Sequence, residues 1–196
     1  MLVAQSSQII ERMGIEMANG LCKDLFHGYL RDYSQWHGNV SRHITSNEKR
    51  LRAFKCIYKY LPFVAAVLYL VLMVYAWLNL AALETLKLIL VPGILFVLVS
   101  LLRKAMNLPR PYTKYNIQPI MTKDKVGESF PSRHTFSITI IAMAWLYVYP
   151  PVGMLLWLMS IVLGAVRVLA GVHFIKDVAG AALISIVFGG IGLFLL

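Results

Sequence analysis

The chain has 196 residues, 59% of them hydrophobic and only 14% charged, with a mean hydropathy of +0.68. A soluble domain carries about 25% charged residues, so composition excludes a water-soluble enzyme, a disordered chain, a collagen-like repeat and a disulfide scaffold. There are 19 Lys and Arg against 9 Asp and Glu, a net charge of +10, but the basic residues form blocks beside apolar segments, a pattern of membrane topology and phospholipid contact rather than of nucleic-acid binding.

In chain order, residues 1–55 differ in composition from the rest. Ile10, Met13, Met17, Leu21 and Leu25 recur at helical spacing, with Glu11, Glu16, Lys23 and Asp24 between them. This predicts a helix that lies on the membrane surface or, alternatively, a solvated helix packed on the body. The first 30 residues lack the charged and apolar regions of a signal peptide. Cys22 and Cys56 fit no metal-ligand spacing and define no disulfide framework. The stretch from Tyr33 to Asn47, rich in Ser, Gly, Asn and Thr, reads as irregular. A basic block then runs from Arg42 to Lys59, with six Lys or Arg and one Glu.

Five apolar segments follow, at about 57–80, 84–102, 133–149, 151–168 and 173–196. Leu61 to Leu83 contains no Asp, Glu, Lys, Arg or His, which exceeds the ~20 apolar residues needed to cross ~30 Å of hydrocarbon. Pro92-Gly93 predicts a kink in the second segment. The third has only 15 uncharged residues after His134, so its polar start sits near the interface. An alternating barrel pattern is absent, and unpaired backbone is prohibitive in lipid. The expected fold is therefore all-α: a polytopic transmembrane helical bundle of about five spanning helices over residues 56–196, preceded by an N-terminal interfacial helical region over 1–55.

With five spans, the segment ends alternate between faces, and one face collects Arg103, Lys104, Arg110, Ser132, Arg133, His134, Arg167, His173 and Asp177. Ionisable groups at span ends facing a bundle are candidates for function. Arginines gathered closely repel one another unless they share an anion, and their planar fork of donors suits phosphate oxygens. Pro131-Ser132 opens the third segment, where free N–H groups and the helix dipole attract anions; His134 is placed there to exchange a proton. His173 and Asp177, four apart, share a helix face. A carboxylate on one ring nitrogen leaves the other as a nucleophile or base. The same pair would also serve as a buried polar bridge or as part of a metal site, although the neighbouring arginines repel a cation.

Together these clusters resemble the signature of the type-2 phosphatidic acid phosphatase family, the lipid phosphate phosphatases: Lys-x6-Arg-Pro, Pro-Ser-Gly-His and Ser-Arg-x5-His-x3-Asp. The chain offers Arg103-x6-Arg110-Pro111, Pro131-Ser132-Arg133-His134 and Val166-Arg167-x5-His173-x3-Asp177. Arg103 replaces the family lysine. Lys104 is the alternative, one residue nearer to Arg110 and rotated by ~100° on a helix. Arg133 replaces glycine, Val166 replaces serine, and members of the family commonly have six spans.

The resemblance implies an integral membrane enzyme, in a bacterial cell membrane, that removes the terminal phosphate of a lipid phosphate or diphosphate such as polyprenyl diphosphate, phosphatidylglycerol phosphate or phosphatidate. His173 would form a phosphohistidine, Asp177 would orient it, and His134 would protonate the leaving oxygen. Arg103, Arg110, Ser132, Arg133 and Arg167 would hold the phosphoryl oxygens, with no metal or other cofactor. A lipid phosphotransferase using the same site and a catalytically silent lipid-binding protein are the alternatives. Bacterial relatives are taken to act on the outer face, whereas the basic residues flanking the spans point to the cytoplasmic side, so the sequence leaves the face of the site open.

Overall fold

The computed structural model describes residues 33–115, 117–121 and 126–195; the helix expected over residues 10–25 lies outside them. The described chain is all helix and loop. Helix α1 covers residues 33–45, where the sequence predicts irregular chain. Tertiary contacts override the composition here: Tyr33 stacks on Tyr115 at 4.5 Å between ring centroids, and His37 is buried. Asn47 then caps α2 (Glu48–Asn79), its side chain accepting from the amides of Lys49 at 2.9 Å and Arg50 at 3.3 Å.

The 32 residues of α2 extend ~48 Å at 1.5 Å per residue, well beyond the hydrocarbon thickness. Its basic first turns therefore project from the apolar part. The composition boundary at residues 55 and 56 falls inside this helix. α3 (Ala82–Met106) continues through Pro92 and stops at Asn107, whose left-handed φ of 39° ends the helix just after Arg103 and Lys104. A short α4 (Pro111–Lys114) follows, then the loop leading to α5 (Arg133–Val148). Tyr149, in extended conformation, turns the chain directly into α6 (Pro150–Leu169). Last come α7 (Ile175–Gly190) and a π-helical turn, Ile191–Leu195.

All five predicted apolar segments are helical. Four helices, α2, α3, α6 and α7, are long and apolar enough to cross a membrane, and large apolar side chains such as Phe63, Trp77, Leu83 and Leu155 project from them, exposed. α5 has 16 residues and is the buried axis, packed on α2, α3, α6 and α7, with every residue from Thr135 to Trp145 buried except Ser137. A helix surrounded by protein rather than lipid can be short, because its neighbours provide the apolar belt. The chain is an integral membrane protein with this helix at its centre. Trp145 anchors it by donating to the Leu68 carbonyl at 3.1 Å.

The buried positions of α7 are Asp177, Ala181, Ser185 and Gly189, one ridge at four-residue steps. Small side chains there let α5 approach closely. Ser185 donates across to the Phe136 carbonyl at 3.2 Å, and a Cβ at Gly189 would collide with Ile140. On the far end of the bundle, Tyr147 donates to Glu84, which also pairs with Lys87 at 3.8 Å.

Candidate active site

The ends of α3, α5, α6 and α7 meet on one side. At the end of α3, Arg103 is buried although its neighbour Lys104 is exposed. Its Nη1 donates to the Pro131 carbonyl at 2.8 Å, and its Nε lies 3.6 Å from the Glu128 carboxylate. The following loop is stitched to the segment before α5: the amide of Ser129 donates to the Leu108 carbonyl at 2.9 Å, and that of Arg110 to the Val126 carbonyl at 3.4 Å. Arg110 itself is 2% exposed; Nε donates to the Gly127 carbonyl at 3.0 Å and Nη1 to the Val172 carbonyl at 3.4 Å. Two of the guanidiniums are thus held by main-chain oxygens, those of Pro131, Gly127 and Val172.

Ser132 precedes α5 in extended conformation, yet its side chain makes no cap bond to the helix. Its hydroxyl accepts instead from Thr135 at 3.0 Å. The first turn of α5 therefore presents main-chain N–H groups without a side-chain cap, the arrangement that favours anions. The Ser132 amide donates to the Asp177 carbonyl at 2.9 Å, which joins the start of α5 to that of α7. In that first turn Arg133 is exposed and His134 half-buried.

Asp177 is the third residue of α7. Its Oδ2 accepts from the Phe174 amide at 2.9 Å, which closes the start of the helix, and from the Ser129 hydroxyl. The same oxygen stands 3.5 Å from Nδ1 of His173, and both side chains are 1% exposed. Burial, above all, pushes the His173 imidazole down to about 4; the Asp177 carboxylate opposes this, while Arg110 and Arg103 reinforce it. The ring is consequently neutral near pH 7, with Nδ1 turned to the carboxylate and Nε2 left for chemistry.

The turn that delivers His173 depends on Gly171, whose φ of +76° suits glycine. His37 of α1 fills the space against it: a Cβ at position 171 would lie 2.5 Å from His37 Nε2. Burial lowers the His37 imidazole, partly offset by its bond to the Leu169 backbone. Arg167, 2% exposed in the last turn of α6, lies with Cζ 3.9 Å from the ring centroid of Tyr58.

Arg103, Arg110, Ser132, Arg167, His173 and Asp177 are thus buried at converging ends, whereas Arg133 and Lys104 point outward to exposed positions. Ser129, Glu128, Tyr58 and His37 were not singled out by sequence. Ser129 carried a weak signal in its place just before Phe130-Pro131-Ser132, but nothing in spacing ties residue 129 to 177. Chemically, the cluster offers a neutral, oriented imidazole beside buried guanidiniums and an uncapped helix start.

The sequence profile described as the PAP2 superfamily matches residues 84–194, a span that holds all three motifs. No curated protein matches the chain. Among solved structures, LpxE of Aquifex aeolicus is similar with a TM-score of 0.61 and 26% identity, over 79% of this chain and 93% of that one. A transmembrane PAP2-type phosphatidylglycerolphosphate phosphatase from Bacillus subtilis has the same TM-score, 0.61, at 18% identity over 86% of this chain and 90% of its own. The latter likeness is one of fold.

Proposed function

The chain belongs to the PAP2 superfamily, and on that premise we propose that it is a membrane phosphatase that hydrolyses the terminal phosphate of a lipid phosphate or diphosphate without a metal. The observation that carries this reading is the His173–Asp177 pair at 3.5 Å beside three buried guanidiniums, those of Arg103, Arg110 and Arg167. Phosphoryl transfer needs positioning and neutralisation of the equatorial oxygens more than elaborate covalent chemistry, and arginines with an uncapped helix start supply both.

In the proposed reaction, Nε2 of His173 attacks phosphorus and the P–O bond to the lipid breaks. His134 gives its proton to the departing oxygen. Asp177 balances the positive charge that develops on the His173 ring. His134, now neutral, takes a proton from water; the resulting hydroxide attacks phosphorus, the P–N bond breaks, and inorganic phosphate leaves. Arg103, Arg110, Arg167 and Ser132 hold the oxygens, with Arg133 at the rim. The terminal phosphate of polyprenyl diphosphate, phosphatidylglycerol phosphate or phosphatidate would reach the site from the bilayer surface while the apolar tail stays in lipid. The similarity to bacterial proteins supports a bacterial cell membrane as its location.

Charge supports the metal-independent reading. Among the described residues no three His, Cys, Asp or Glu side chains gather as ligands, and the carboxylates of the cluster already engage Arg103, Ser129 and the α7 start. Purified protein in detergent, offered the three lipid classes above, should release phosphate in EDTA and be blocked by vanadate, which mimics the five-coordinate phosphoryl group. Activity lost in EDTA and restored by Mg²⁺ would overturn the arginine-based reading. Phosphorylated acceptor lipid in place of free phosphate would assign a phosphotransferase.

A further inference from the structure

Outside the three motifs, α2 brings one side chain into the cluster. Tyr58 is 7% exposed, and its hydroxyl is fully buried with no hydrogen-bond partner among the described residues. Nε and Nη1 of Arg167, whose guanidinium carbon lies over the same ring at 3.9 Å, are in the same condition. Arg167 acts most strongly on the Tyr58 hydroxyl and lies near enough to interact with it directly, although not in hydrogen-bonding geometry, and Arg110 and Tyr112 act on it as well. A buried donor left unpaired is unfavourable, and a charged one more so. Three such atoms on two stacked side chains, with a second guanidinium nearby, call for one shared partner: an anion with several acceptor oxygens.

We propose that Tyr58 belongs to the phosphate site, its ring holding the Arg167 guanidinium in plane and its hydroxyl donating to a phosphoryl oxygen that Arg167 also binds. Cation–π stacking fixes the orientation of the guanidinium and leaves its Nε and Nη1 without a hydrogen-bond partner among the described residues. The proposal rests on the phosphatase reading and adds to it a residue from the helix that the family profile, beginning at residue 84, does not include.

The hydroxyl makes the proposal testable by sign. If Tyr58 merely packs against Phe54, Val166 and Val172, then Tyr58→Phe removes an unsatisfied buried group, so thermal stability is kept or raised and phosphate binding is unchanged. If the hydroxyl binds phosphate, Tyr58→Phe keeps or raises stability and still loses affinity. The full-length protein in detergent is titrated calorimetrically with inorganic phosphate, and hydrolysis of a lipid phosphate is followed in parallel. Tyr58→Phe is expected to weaken phosphate binding roughly tenfold or more, the scale of a hydrogen bond to a charged group. Tyr58→Leu, which also removes the stack, should weaken it further and lower kcat. Binding by Tyr58→Phe within about twofold of the parent, in a parent that binds phosphate and hydrolyses lipid phosphate, overturns this inference alone. A parent that neither binds phosphate nor hydrolyses any lipid phosphate overturns it together with the phosphatase reading.

Discussion

His173 and Asp177 face each other because the chain is pinned on either side of them. Asp177 closes the start of α7 and accepts from Ser129, so its carboxylate has little freedom to leave the imidazole. Burial lowers the His173 ring to about 4, which keeps it neutral and nucleophilic throughout the neutral range. In the proposed mechanism the two histidines have separable tasks. His173→Ala should abolish turnover and any covalent phosphoenzyme. His134→Ala should recover part of its loss on substrates with good leaving groups, because an acid matters less when the leaving oxygen is already stable. Rates on a series of phosphate esters of graded leaving-group pKa check this; equal losses across the series would remove His134 as the acid. At the first motif, Arg103→Ala should reduce kcat/KM about 10²-fold, on the scale of losing a group that stabilises developing charge. Lys104→Ala should change it less than threefold, because Lys104 is exposed while Arg103 bonds to Pro131. Reversal of that order would transfer the role to Lys104. Arg103 was readable from the x6 spacing to Arg110; Ser129 and Tyr58 were not, because each acts across a contact that only folding creates.

At the scale of elements, apolar runs announced every spanning helix, since charge is too unfavourable in hydrocarbon to be tolerated at random. The spacing of Ala181, Ser185 and Gly189 below Asp177 has the same origin in the sequence, because small residues repeating every four positions mark one helix face. α1 was not legible. Its Ser, Gly and Asn content argues for loop, and the helix is held by side chains that meet residues far along the chain: Tyr33 on Tyr115 and Phe174, His37 under Gly171. The ridge has a mechanical consequence for the site. Ala181 is fully buried one turn below Asp177, so Ala181→Leu should force α7 away from α5. Overpacking of this kind destabilises by about 1–3 kcal/mol. Thermal unfolding in detergent should show a lowered midpoint for Ala181→Leu, with activity reduced at temperatures where the protein is still folded. Leu183→Ala, on the face 62% exposed at that residue, should leave both nearly unchanged. Equal effects of the two substitutions would mean that α7 does not position Asp177 by close packing.

For the whole molecule, the arrangement of helices fixes which groups share a side of the membrane. The ends of α3 and α6 and the starts of α2, α5 and α7 lie together with the site. With them lie Arg42, Lys49, Arg50, Arg52, Lys55 and Lys59, none of which the proposed chemistry uses. Among the described residues, the opposite end offers Lys87, and that residue is paired with Glu84 at 3.8 Å. Removing every arginine assigned to phosphate still leaves the basic charge on the site's side, and Lys and Arg flanking spans are retained in the cytoplasm. The charge distribution therefore predicts a cytoplasm-facing site, against the outer-face location taken for bacterial members of the family. Gln118 is exposed in the loop between α4 and α5, so Gln118→Cys, with Cys22 and Cys56 replaced by serine, reports the side directly. A membrane-impermeant thiol reagent should leave intact cells unlabelled at this position and label it once the membrane is permeabilised. Labelling of intact cells would place the site outside and show that residues held for substrate and for anionic headgroups, rather than topology, account for the basic face.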